Sequence, residues 1–144
     1  MAAITVTAAN IRPCDGYTLN TRRYNCGGAV TPGQAVYVAA DGDVEAADGD
    51  DVNQAQARGI ALSDGSGSVA FAAGDRIDIV THGPVSGYAG MTPGLPVYAS
   101  VTAGRLDQVA SAVPGDFNYI VGFAESDTVI FVNPQMDIPV AVPA

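Results

Sequence analysis

The sequence predicts an all-β protein, a small β-barrel or β-sandwich built from two pseudo-repeated groups of strands, with an extended N-terminal arm and a C-terminal tail. Three observations carry this. Gly 17 and Pro 9 are generous for 144 residues, only 15% of positions are charged, and the apolar positions are mostly Val, Ala, Ile and Tyr. Such a balance favours short strands joined by turns over long helices. The chain also says one thing twice: Thr31-Pro32-Gly33 returns as Thr92-Pro93-Gly94 and Val36-Tyr37 as Val97-Tyr98, both 61 positions on (31 to 92, 36 to 97).

The echo continues with a drifting offset. Gly42-Asp43-Val44 answers to Gly104-Arg105-Leu106 (42 to 104, offset 62), and Gly59–Asp64 to Gly122–Asp127 (59 to 122, offset 63). One-residue steps are what loop-length changes between fixed strands produce. A period near 60 in two copies is too long and too few for a solenoid. It suits a duplicated strand group in which each copy has an apolar face it cannot hide alone, so that pairing the two closes a barrel or sandwich.

Taken in order, residues 1–26 read as an N-terminal arm or a first strand, since Ile4 and Val6 alternate with Thr5 and Thr7 before Pro13 interrupts. Pro32-Gly33 is a turn with a mechanism: proline pre-sets φ for the first corner and glycine accepts positive φ at the second. "QAVYVAA" then reads as a strand, "DGD" as a turn, "VEAA" as a return strand, and "DGDDVNQAQA" as a loop or brief helical turn. "RGIALSDG" and "GDRIDIVTHG" resume strands, every element reads as short, and His82 before Gly83-Pro84 reads as a turn residue. The pseudo-repeats span 27–83 and 87–134 within a β domain at 27–137. After the strand Val129–Val132, Pro134, Pro139 and Pro143 leave residues 138–144 as an extended tail. Its alternating Ile138, Val140 and Val142 would lie on the chain's own domain or on a neighbour.

Charge narrows the function. Fifteen acidic against six basic residues give a net charge of −9, lysine is absent and the arginines are scattered, so nucleic acid is not an expected partner. No run approaches the length of a membrane span, and the first residues lack the pattern of a secretory signal. Cys14 and Cys26 make neither a disulfide framework nor a zinc site, and are expected to be reduced.

A search for chemistry returns little. The single histidine has no partnered motif, "GSG" at Gly65–Gly67 lacks the context of a nucleophile elbow, and no phosphate loop or dinucleotide fingerprint occurs. "ADGDVEAADGDD" raises calcium, yet the spacing of a calcium-binding loop is absent, and solvated turn aspartates are the simpler reading. Tyr37 and Tyr98 recur with the repeat and read as packing, whereas Tyr17, Tyr24 and Tyr88 stand near turns and are freer to meet a partner. The expectation is no enzyme, no cofactor and no metal.

The order of "VTPGQAVYV", "ARGIAL", "GMTPGLPVYAS" and "PGDFNYIVGFA" (Pro114–Ala124), over roughly Gly27–Pro134, resembles small virion proteins of tailed bacteriophages, capsid decoration (cement) and head-fibre proteins. The resemblance implies an all-β structural protein on the outer surface of the capsid. Its implied partners are the major capsid protein and itself, as a homotrimer reinforcing joints between capsid subunits. On that reading Ile4, Thr5, Val6 and Thr7 with Ile138, Val140 and Val142 are candidate contact residues, acting by strand addition or by lying along neighbouring chains. The alternative is a receptor- or glycan-binding adsorption domain of a head fibre or tail.

Overall fold

A computed structural model describes residues 4–14, 20–66 and 70–144; Tyr17 and Gly67 lie outside them. Among the described residues are twelve strands: β1 (Thr5–Val6), β2 (Arg12–Pro13), β3 (Asn20–Asn25), β4 (Ala35–Val38), β5 (Val44–Ala46), β6 (Gly59–Ala61), β7 (Arg76–Ser86), β8 (Tyr88–Ala89), β9 (Pro96–Ala99), β10 (Leu106–Asp107), β11 (Tyr119–Ala124) and β12 (Val129–Val132). The protein is all-β, and its helix is a single 3-10 turn at Ala8–Asn10. β1 pairs with β8; the remaining ten strands form one antiparallel sheet that curls into a half-barrel.

The two copies have the same strand order. Along the sheet the strands run β10-β9-β11-β12-β7-β6-β4-β5, so the hairpin β4–β5 followed by β6 and β7 is repeated by β9–β10 followed by β11 and β12. The register repeats too: Val36 stands opposite Gly59 and Val97 opposite Gly122. The turn before each copy's first hairpin is closed alike, Gly33 N–H donating to Ala61 O at 2.8 Å and Gly94 N–H to Ala124 O at 2.7 Å. Both glycines hold the positive φ that the turn requires, 92° and 86°.

β7 corrects two sequence-based expectations. It runs eleven residues, so not every element is short, and His82 lies inside it, not at a turn. Gly83-Pro84 imitates a turn because glycine and proline are turn residues. Here Gly83, at φ 128°, lets the strand re-aim without reversing, and Pro84 is paired opposite Phe131. The first part of β7 ends the first copy, paired with β6 and β3; its last part opens the second, paired with β12 and β2. The repeat boundaries therefore shift: β3 belongs to the first copy, and the end of β7 takes the corresponding place in the second.

Two clusters form the core. In the first copy Val30, Val36, Val44, Ala61 and Ile79 pack with Cys26, Ile77 and Phe71. Their counterparts Met91, Val97, Leu106, Ala124 and Ile130 belong to a larger cluster that also takes in Ala35, Ile60 and Val80 from the other face of the first copy. Loop length explains the difference. The first copy's last connection, residues 62–75, brings in Phe71, which exchanges backbone hydrogen bonds with Val30 at 2.8 and 2.9 Å, and so closes its own core. The second copy turns from β11 to β12 within residues 125–128, brings in no such plug, and shares a core with the back of the first copy.

Buried tyrosines and backbone bonds join the copies. Tyr88 is buried and its hydroxyl donates to Gly33 O at 2.9 Å; burial pushes its pKa up. At the rims, Gly49 N–H donates to Ser100 O at 2.8 Å, Gly104 N–H to Ala47 O at 2.6 Å, and Phe117 N–H to Gly49 O at 2.8 Å. These bonds tie the two edge hairpins together without a continuous ladder.

Candidate functional site

The repeat makes an internal control for burial. In the first copy Ala35, Ile60 and Val80 form a row across β4, β6 and β7, and all three are fully buried. The same row in the second copy is Pro96, Phe123 and Phe131 across β9, β11 and β12. Phe123 is 42% exposed, and Pro96 and Phe131 are half-buried. Nothing in the described chain covers this row as the second copy covers the first. Phe123 stacks on Phe131 with centroids 5.6 Å apart, and the exposed His82 ring meets Phe131 edge-on at 5.0 Å. Ile120 adds further exposed apolar surface on β11.

A second apolar surface follows from β12. Past Val132 the chain runs beside β11, with Asn133 N–H donating to Val121 O at 2.9 Å and Gln135 N–H to Ile120 O at 3.0 Å. It is anchored again where Val142 N–H donates to Asp116 O at 2.8 Å and Gly115 N–H to Val142 O at 3.0 Å. Of the two surfaces open to the tail, its backbone uses its own domain. Its side chains do not: Met136, Ile138 and Val140 are 75%, 73% and 85% exposed, while Pro139 is buried and Val142 half-buried.

The expected contact residues at the other end behave differently. Ile4 is buried in the larger core cluster and is not available to a partner. Thr5 and Val6 pair with Ala89 and Tyr88, and Thr7 N–H donates to Gly87 O at 3.0 Å, so residues 4–7 lie along the body as a first strand. Thr5, Val6 and Thr7 remain exposed. The structure does not bring this group together with Ile138 and Val140 in any contact among those described.

Sequence reasoning missed Phe123, Phe131 and Pro96. The signal was in the repeat alignment: "GIA" of the first copy (Gly59–Ala61) becomes "GFA" (Gly122–Ala124), a larger ring where its counterpart is an aliphatic core residue.

The acidic turns have a structural occupation. Asp41 Oδ1 accepts from Asp43 N–H at 3.0 Å, Asp48 Oδ1 from Asp50 N–H at 3.2 Å, and Asp51 Oδ1 from Asn53 and Gln54 N–H at 2.9 and 3.2 Å. These carboxylates hold their own turns. A hydrogen bond with Asp48 raises the Asp50 carboxyl above its usual range. Among the described residues no three His, Cys, Asp or Glu side chains converge as metal ligands. Cys26 is buried, and desolvation pushes its thiol pKa up, the opposite of an activated nucleophile.

Compared with known protein families and with curated proteins, the chain finds no match.

Proposed function

We propose that this is a structural virion protein that binds the outer surface of a phage capsid and reinforces contacts between major capsid subunits. The observation that carries this reading is the uncovered Pro96–Phe123–Phe131 row. Aromatic rings held in register on a rigid sheet, in a chain of net charge −9, are the surface that a permanent partner would bury, at roughly 25 cal/mol per Å² of apolar area. The exposed Met136–Val140 ribbon adds a second apolar strip. The resemblance of the repeat motifs to decoration proteins supplies the kind of partner.

A clamp of this sort acts by preference. Binding the assembled lattice and not its loose subunits stabilises the lattice by mass action, and several weak contacts per copy combine through effective concentration. Self-association as a homotrimer would serve the same end.

The test is occupancy on capsids assembled without this protein, with copies per particle counted by cryo-microscopy after the chain is added back. Phe123→Asp, with its thermal unfolding checked separately, is expected to lose most of the density. Full occupancy by Phe123→Asp removes the aromatic row from the interface, and density confined to a single vertex favours the adsorption role instead.

A further inference from the structure

A groove of about 920 Å³ lies beside β3, lined by Asn20, Arg22, Tyr24, Arg58, Asn133 and Met136, with Val38 and Thr81 beside them. Its chemistry is unlike the rest of the surface. The chain has fifteen carboxylates against six guanidiniums, yet two of the six line this groove, and no carboxylate does among the described residues.

Arg58 is the more informative of the two. It is half-buried, its guanidinium donates to the Tyr119 hydroxyl at 2.7 Å and to Gln56 Oε1 at 3.1 Å, and the Met136 sulfur stands 3.9 Å away. None of these is an anion. Arg22 stands exposed on β3, and the ion pair found among the described residues belongs to its neighbour, Arg23 with Asp78 at 2.8 Å. Asp137, next in the chain to Met136, acts on the Tyr119 phenol only through its field. A partly desolvated guanidinium that no carboxylate bonds is costly for the free protein, and an arriving anion offsets that cost.

We propose that this groove binds a carboxylate-bearing sugar chain, with Arg22 and Arg58 taking the carboxylate and the side-chain amides of Asn20 and Asn133 taking ring hydroxyls. Tyr24 and Met136 supply the flat apolar contacts that sugar C–H faces use. A sugar fits the lining better than an acidic peptide, because the groups presented are side-chain amides, a hydroxyl and a phenol ring spread along an open trough. The groove is separate from the Pro96–Phe123–Phe131 row, so glycan recognition would be a second activity of the same chain and does not depend on the capsid reading.

The test is titration of the full chain with tri-galacturonic acid, followed by NMR shifts of the Asn side-chain amides and by calorimetry, with neutral galactotriose and hexaglutamate as controls. Expected are saturable shifts at Asn20 and Asn133 with the acidic trisaccharide and about tenfold weaker binding of the neutral one, as befits loss of a charge-assisted hydrogen bond. Arg22→Gln, at an exposed position, should weaken binding by about tenfold without altering thermal stability. Asn133→Ala should weaken it less. Absence of shifts at millimolar sugar, equal affinity for the neutral trimer, or tighter binding of hexaglutamate than of the sugar overturns the proposal. Capsid occupancy separates the two readings: Arg22→Gln should bind particles as the natural chain does, whereas Phe123→Asp should keep the sugar and lose the particle.

Discussion

The first copy buries the Ala35–Ile60–Val80 row on the back of its sheet, and the second leaves the matching Pro96–Phe123–Phe131 row open. Ile60 and Phe123 hold the same register position, yet one is fully buried and the other 42% exposed, because a module in a pair has a neighbour on only one side. Phe71 closes the first copy's own core, the second copy covers its back, and no third module among the described residues does the same for the second. Duplication thus solves burial for one copy and moves the unsolved face to the outside of the other. A row of side chains that is core by ancestry and surface by position is where a binding partner is to be sought.

The comparison breaks most sharply at the paired glycines. A methyl group on Gly59 would overlap the Val80 carbonyl oxygen, and one on Gly122 the Phe131 carbonyl oxygen, so backbone must move in either case. Gly59→Ala and Gly122→Ala are each expected to cost about 3 kcal/mol in urea unfolding. A mild effect at one alone would show that the two strand crossings are not equivalent.

Next comes the row itself. Ile60→Ala empties a sealed site and should cost about 3 kcal/mol. Phe123→Ala gives up one stacking contact at the surface and should cost about 1 kcal/mol in the isolated chain. Equal losses would mean that Phe123 is buried in solution by something already bound, most simply another copy, and sedimentation velocity would reveal it.

The turns sharpen the comparison further, since the same Thr-Pro-Gly corner is braced in two ways. In the first copy Gln34 folds back, its Oε1 accepting from Thr31 N–H at 2.9 Å. In the second, buried Gln108 reaches over from beyond β10, accepting from Thr92 N–H at 2.8 Å and donating to Thr92 O at 3.0 Å and Leu95 O at 3.3 Å. Gln108→Ala is expected to cost about 2 kcal/mol and Gln34→Ala about 1 kcal/mol in thermal or urea unfolding, because the first strands more buried groups.

The smallest effect concerns the first copy alone. The Arg23 guanidinium, bonded to Asp78, holds that carboxyl below its usual range. The stabilisation is therefore present above the unfolded carboxyl pKa, about 3.9, and is lost as pH falls through the lower folded value. Both side chains are well exposed, 61% and 41%, so solvent weakens the pair. Asp78→Asn should lower the urea midpoint slightly at pH 7 and by progressively less as pH falls below the unfolded carboxyl pKa, the difference also shrinking with added salt.

Much of this was legible in the chain. The strand Val129–Val132, the Pro-Gly corners and the paired Val36 and Val97 follow from turn chemistry and a two-residue period, which are local. The ends of the repeat were not legible. Extending the offset of 61 past the turn lays Asn25 over Ser86 (25 to 86), but Cys26-Gly27-Gly28 and Gly87-Tyr88-Ala89 share almost nothing, and Gly83-Pro84 disguises a continuous strand. The groove was also invisible, since Arg22, Arg58 and Met136 are far apart in sequence and meet only when β3 and the tail converge.

By itself the sequence determined the fold class, the number of modules and most of the strands, since backbone preference and apolar alternation act over a few residues. Only the tertiary structure decided which copy would be enclosed and which left bare. That choice depends on what packs across the sheet, where a longer loop delivers Phe71 to one core and a shorter one delivers nothing to the other.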